Sequence, residues 1–216
     1  MKRVCSILTV AVVLATAAWA QDFSISAGGG GFGVADFTGG YKDDTEGRSL
    51  PYFGGGAFIF FDATYGEVSV GYFVGGGDTV EKGSNIPTTT TPWTLSGLNL
   101  GVFLKYPFEL SDIVTLSPMA GADYQMILSA KMDEKTETSI KNSTEEAPGD
   151  LSALWIKGGV GIDLHVFYSL YFHGEVLFGV RLASKWEKDW VDTRKGGKTN
   201  LGIGPTVKLG VGYRFY

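Results

Sequence analysis

The sequence predicts an all-β fold, a single eight-stranded antiparallel up-and-down barrel that crosses a membrane by its strands and follows a cleaved signal peptide. Three observations predict it. Long runs alternate apolar and polar residues with a period of two. The connections between these runs are alternately long and short. Residues 1–20 have the layout of an export leader.

The leader comes first. Lys2 and Arg3 form a basic start, "ILTVAVVLATAA" a short apolar stretch, and Ala18-Trp19-Ala20 a small-x-small cleavage site. The mature domain is then 21–216. The apolar stretch is too short to span a bilayer well, and no later run approaches the roughly 20 apolar residues of a membrane helix. The only cysteine, Cys5, lies in the leader far from the cleavage site. The mature chain therefore has no thiol for disulfides, thiolate metal sites or lipid attachment. Net charge falls from −5 to −7 when Lys2 and Arg3 leave. A mildly acidic chain without a basic stripe is not expected to bind nucleic acid.

The strand-like runs are 23–37, 52–62, 65–75, 93–106, 113–128, 151–166, 170–183 and 200–216. Residues 38–51, 76–92, 129–150 and 184–199 read as long polar loops, and 63–64, 107–112 and 167–169 as short turns. Strict alternation puts all long loops at one end, with the short turns and both termini at the other. In the first run the pattern changes phase at "GGGG", Gly28 to Gly31, which predicts a bulge or bend. The second run is ambiguous, because "AFIFF" is apolar at successive positions. The sixth run is clear. Leu154, Ile156, Val160, Ile162 and Leu164 share one face, and Trp155, Lys157, Gly159, Gly161, Asp163 and His165 the other. The last run, "LGIGPTVKLGVGYRFY", sets Leu201 to Phe215 at odd positions against a face of glycine with Lys208 and Arg214.

Four features put the polar face inside, as in a membrane barrel and unlike a soluble one. It is rich in glycine and sparse in charge, a poor water-facing surface. Its charges nearly cancel: Lys105, Lys157, Arg181, Lys208 and Arg214 against Glu67, Asp123, Asp163 and Glu175. Such a set can pair internally. The four mature tryptophans, Trp93, Trp155, Trp186 and Trp190, fall toward the long loops. Phe23, Phe61, Tyr65, Tyr106, Phe108, Phe167, Tyr168, Tyr213 and Phe215 fall toward the short turns, so the aromatics predict two interfacial girdles. Most runs also exceed the 9–11 residues that a membrane strand needs.

With its leader, eight runs, and a last strand ending "GVGYRFY", the mature chain resembles the small bacterial outer-membrane barrels of the OmpX, OmpW and OmpA-barrel group. The resemblance implies an outer-membrane location, contact with outer-membrane lipid, a monomer, and recognition by the barrel-assembly machinery. It carries that assembly signal onto Gly210, Tyr213 and Phe215. Tyr216 is an extra residue beyond the lipid-facing aromatic where such proteins usually stop.

Other motifs carry less. "GGGGFG", Gly28 to Gly33, fits G-x-G-x-x-G, but an acidic loop follows rather than a helix, so it reads as strand packing and no cofactor is expected. Asp163, His165, His173 and Glu175 would meet on one hairpin, a donor set that suits zinc. The preferred reading is a polar ladder satisfied by Lys105 and Arg214, with no metal. Neither histidine lies at the long-loop rim and no G-x-S-x-G is present, so no enzyme is expected. "NST" at Asn142 is a formal sequon, of little weight if the source is bacterial, as the resemblance implies. The charged loops read as solvated surface, with Trp186 and Trp190 as the first residues to test for contact with host surface molecules. Two functions stay open. One is OmpW-like binding or passive transport of a small apolar solute, hinted at by inward Phe73, Phe103, Met119 and Leu177. The other is an OmpX-like non-conducting structural or adhesive barrel.

Overall fold

A computed structural model describes residues 23–37, 47–49, 51–83, 86–132, 152–182 and 201–215. The leader, the loop around Trp186 and Trp190, and Tyr216 lie outside the described residues. Among the described residues every regular element is a strand: β1 Phe23–Phe37, β2 Gly47–Ser49, β3 Tyr52–Ala63, β4 Gly66–Gly83, β5 Ile86–Lys105, β6 Phe108–Ser111, β7 Val114–Met132, β8 Ala153–His165, β9 Leu170–Arg181 and β10 Leu201–Phe215. Eight of these are long staves. β2 and β6 are short and pair only with β4 and β7.

Each stave pairs antiparallel with the next, and β1 pairs with β10 from Phe23↔Phe215 to Phe37↔Leu201, so the sheet closes on itself. Closure removes the unpaired edges that would otherwise recruit another chain. Thr64 and Tyr65 turn β3 into β4, and residues 166–169 turn β8 into β9.

The alternation fixes what faces out. On β8, Leu154, Ile156, Val160, Ile162 and Leu164 are exposed. On β9 and β10, Phe172, Val176, Phe178, Val207, Leu209 and Val211 continue the apolar wall. An exposed apolar surface this extensive is foreign to soluble monomers. At the short-turn end Tyr65, Tyr106, Phe108, Phe167, Tyr168, Tyr213 and Phe215 are exposed and make an aromatic band.

Three expectations need correction. Residues 76–83 and 86–92 are not loop; they prolong β4 and β5 as a paired hairpin up to Gly83↔Ile86. Thr88 to Thr91 are polar, but β-branched side chains favour extended backbone. The first strand has no bulge, since its register with β3 and with β10 is constant throughout. The phase change arises because Phe32, half-buried, and Val34, buried, keep the inward parity of Ser24 and Ser26 while the lumen lining itself turns apolar. Third, Trp93 and Trp155 are not girdle residues. Both are buried, at 5% and 2% exposure, and they point into the lumen.

Inward glycines let large side chains in. A Cβ on Gly121 would come within 2.8 Å of the Phe103 ring, and one on Gly97 within 2.8 Å of the Phe73 ring. The two aromatics occupy the space these residues leave.

Candidate functional site in the barrel lumen

The lumen is filled in layers. Nearest the long-loop end, Val34, Tyr52, Phe73, Trp93, Leu95, Ile127 and Trp155 pack into an apolar cluster, with Phe32 against it. Phe32 meets Phe73 edge-on at 5.3 Å between ring centroids, and Tyr52 meets Trp93 in the same way at 5.4 Å. Gln125 Oε1 accepts from the Tyr52 hydroxyl and from the Trp155 indole N–H, both at 2.9 Å. Among the described residues the buried Trp93 indole N–H has no acceptor. Arg181 lies over the Tyr52 ring.

Below this, Lys157 Nζ donates to Asp123 Oδ2 at 2.5 Å and to Thr206 Oγ1 at 3.1 Å. Phe103, Met119 and Leu177 form a second apolar cluster, all buried.

The short-turn half holds a charged network. His173 and Asp163 are cross-strand partners, and His173 Nδ1 lies 2.6 Å from Asp163 Oδ1. Two residues along the same strand face, Glu175 Oε1 lies 2.9 Å from His173 Nε2. Lys208, the β10 partner of Glu175, places its ammonium 2.8 Å from Glu175 Oε2 and 3.7 Å from Glu67 Oε1. That ammonium also sits over the rings of Phe58 and Phe103. The Phe60 ring packs on His173 at 4.4 Å.

The polar residues singled out from sequence thus divide into groups. Glu67, Asp163, His173, Glu175 and Lys208 come together, and Asp123 and Lys157 pair one layer up. Lys105 does not serve the histidine ladder directly. It pairs with Asp62, a buried carboxylate that alternation missed. His165 stands apart, with Nε2 3.3 Å from Thr115 Oγ1 and its ring beside Tyr171. Arg214 is half-buried over that same Tyr171 ring. Neither His165 nor Arg214 forms part of the cluster around His173. The Tyr171 hydroxyl, in turn, bonds Ser24 at 2.8 Å and Ser26 at 2.6 Å on β1.

Asp62 was hidden because β3 is apolar on both faces, with Phe58 and Phe60 inward and Ile59 and Phe61 outward. Its cross-strand pairing with inward Glu67 was the available signal. Glu67, His173 and Glu175 each offer a ligand atom, all within 4.8 Å of one another. Both ring nitrogens of His173 face carboxylates, which leaves neither free to activate a hydroxyl.

A closed ring of eight staves with an apolar wall and a side-chain-filled lumen is the fold of small bacterial outer-membrane barrels. Among solved structures, the outer membrane protein OprG from Pseudomonas aeruginosa superposes with a TM-score of 0.54 at 12% identity, over 91% of this chain and 97% of OprG. Neisserial surface protein A follows at TM-score 0.48 and 13% identity, over 89% of this chain and 97% of that one. A major outer membrane protein from Thermus thermophilus also gives 0.48, at 15% identity, over 89% and 99%. No family model matches the chain, and no curated protein is similar to it in sequence.

Proposed function

We propose that this chain is an exported outer-membrane barrel, inserted with its long loops outward, whose lumen holds no standing pore and which acts through its surfaces. The observation that carries this reading is the filled interior. An aromatic layer, the Lys157–Asp123 pair, the Phe103–Met119–Leu177 cluster and the His173 network follow one another along the axis. An eight-stranded ring is just wide enough for side chains to fill. The apolar wall and the likeness to OprG support the membrane setting. Outer-membrane lipid is then the partner of the wall. Gly210, Tyr213 and Phe215 would serve recognition by the assembly machinery, and Tyr213 and Phe215 are exposed neighbours at 5.0 Å.

Planar-bilayer recording of the refolded mature chain tests this. Silence in wild type is expected. Steady conductance that rises in Lys208→Ala or Arg214→Ala would overturn it and favour a charge-gated conduit. A mature chain that stays soluble without detergent would overturn the membrane setting.

A second reading, a cleft for a small apolar solute, is favoured by the buried Trp93 indole N–H, which has no acceptor among the described residues, inside an aromatic layer. Saturable change in tryptophan fluorescence with a fused-ring aromatic probe would support it, and a flat titration would remove it.

A further inference from the structure

The network around His173 is short of positive charge. Asp62, Glu67, Asp163 and Glu175 stand against Lys105 and Lys208, which leaves two negative charges if His173 is neutral and one if it is an imidazolium. Buried charge left uncompensated is costly, so such sets are neutralised by a proton or a bound cation. The deficit is localised at Glu67. This side chain is 1% exposed, and among the described residues neither carboxylate oxygen has a hydrogen-bond partner. Its contact with Lys208 is the long one, 3.7 Å, because that ammonium is drawn to Glu175 at 2.8 Å and to two phenyl faces. Asp62, directly across the β3–β4 ladder, adds a second carboxylate rather than a counter-charge.

We propose that Glu67, His173 and Glu175 bind one divalent transition-metal cation, with zinc as the reference ion, and that Asp163 orients the imidazole for it. On binding, the cation replaces the Nε2 proton that bridges the 2.9 Å to Glu175 Oε1, His173 keeps its Nδ1–H on Asp163, and Glu67 closes the third side. A carboxylate behind a metal-binding imidazole fixes the tautomer and raises its basicity. One imidazole and two carboxylates suit zinc and its neighbours. Metal–ligand bonds of roughly 2.0–2.2 Å put tetrahedral donors about 3.4 Å apart; separations of up to 4.8 Å would close to that value, and the His173–Glu175 contact, now 2.9 Å, would open to it. A dication cancels the two charges that a neutral His173 leaves, and Lys208 keeps its place over Phe58 and Phe103. The set differs from the histidine hairpin singled out by sequence: Glu67 enters from β4, and His165 has no part.

Isothermal titration of the refolded mature barrel in micelles with zinc chloride tests the assignment. One zinc per chain is expected. Glu67→Gln should weaken binding at least tenfold, and Asp163→Asn about 10–100-fold. Lys208→Met should tighten it, a direction that a folding defect would not produce. His165→Ala should leave it unchanged. Absence of binding in wild type, binding undiminished in Glu67→Gln, dependence on His165, or weaker binding in a folded Lys208→Met barrel would each overturn it. So would nitrogen NMR showing His173 as an imidazolium in the zinc-saturated protein.

Discussion

Lys157 on β8 reaches Asp123 on the adjacent β7 and Thr206 on β10, which β9 separates from it. One ammonium therefore links three staves, one of which, β10, shares no ladder with the other two. Lys157→Ala should cost about 3–5 kcal/mol, because it leaves the Asp123 carboxylate buried and unpaired. Lys157→Met/Asp123→Leu should recover most of the loss. Urea unfolding in vesicles measures both, and equal stability of the single and double variants would contradict the pairing.

Tyr171 makes a second such link, from β9 across β10 to Ser24 and Ser26 on β1. Tyr171→Phe keeps the ring and removes the hydroxyl that two buried serines share. A loss of about 1–3 kcal/mol is expected by the same unfolding assay. A loss within error would mean that the serines find other partners.

The tryptophans offer an optical check. In a Trp186→Phe/Trp190→Phe protein only Trp93 and Trp155 emit after leader removal, and both face the lumen. Lipids brominated on their acyl chains should leave this emission nearly unquenched. Strong quenching would return the two residues to the interfacial girdle.

Position decides the effect of a charge on the wall. Val160 is exposed near the middle of β8. Val160→Arg should cost about 2–4 kcal/mol in a bilayer. A cost near zero would argue that this face meets water.

Glycine substitutions should separate by environment. A Cβ on Gly121 would press on Phe103 Cα at 2.6 Å as well as on its ring, so backbone has to move. Gly121→Ala should lose about 1–3 kcal/mol, with no rescue by Phe103→Ala. Gly33→Ala has open space within 4 Å and should change stability by less than about 0.5 kcal/mol. Thermal unfolding of the two proteins makes the comparison, and equal midpoints would contradict it.

The staves and their order were legible because alternation is strong wherever lining and wall differ in polarity. It failed where they do not. Phe58 to Phe61 are apolar on both faces, which concealed Asp62, the carboxylate that Lys105 pairs with. Phe32 and Val34 line an apolar stretch of lumen, which imitated a bulge. Trp93 and Trp155 sit at the height expected of an interfacial band, but height along a strand does not reveal which side of the wall a ring occupies. Parity did: Trp155 falls on the same face of β8 as Lys157, and Trp93 on the same face of β5 as Gly97 and Lys105.

The seam between β1 and β10 also governs timing. The stave that completes the ring is the last of the eight to leave the ribosome, and it pairs with the first of them. Until those fifteen residues arrive, β1 and β9 each present an open margin ready to capture any other extended segment. A product that stops at residue 200 keeps both margins open and should aggregate rather than close.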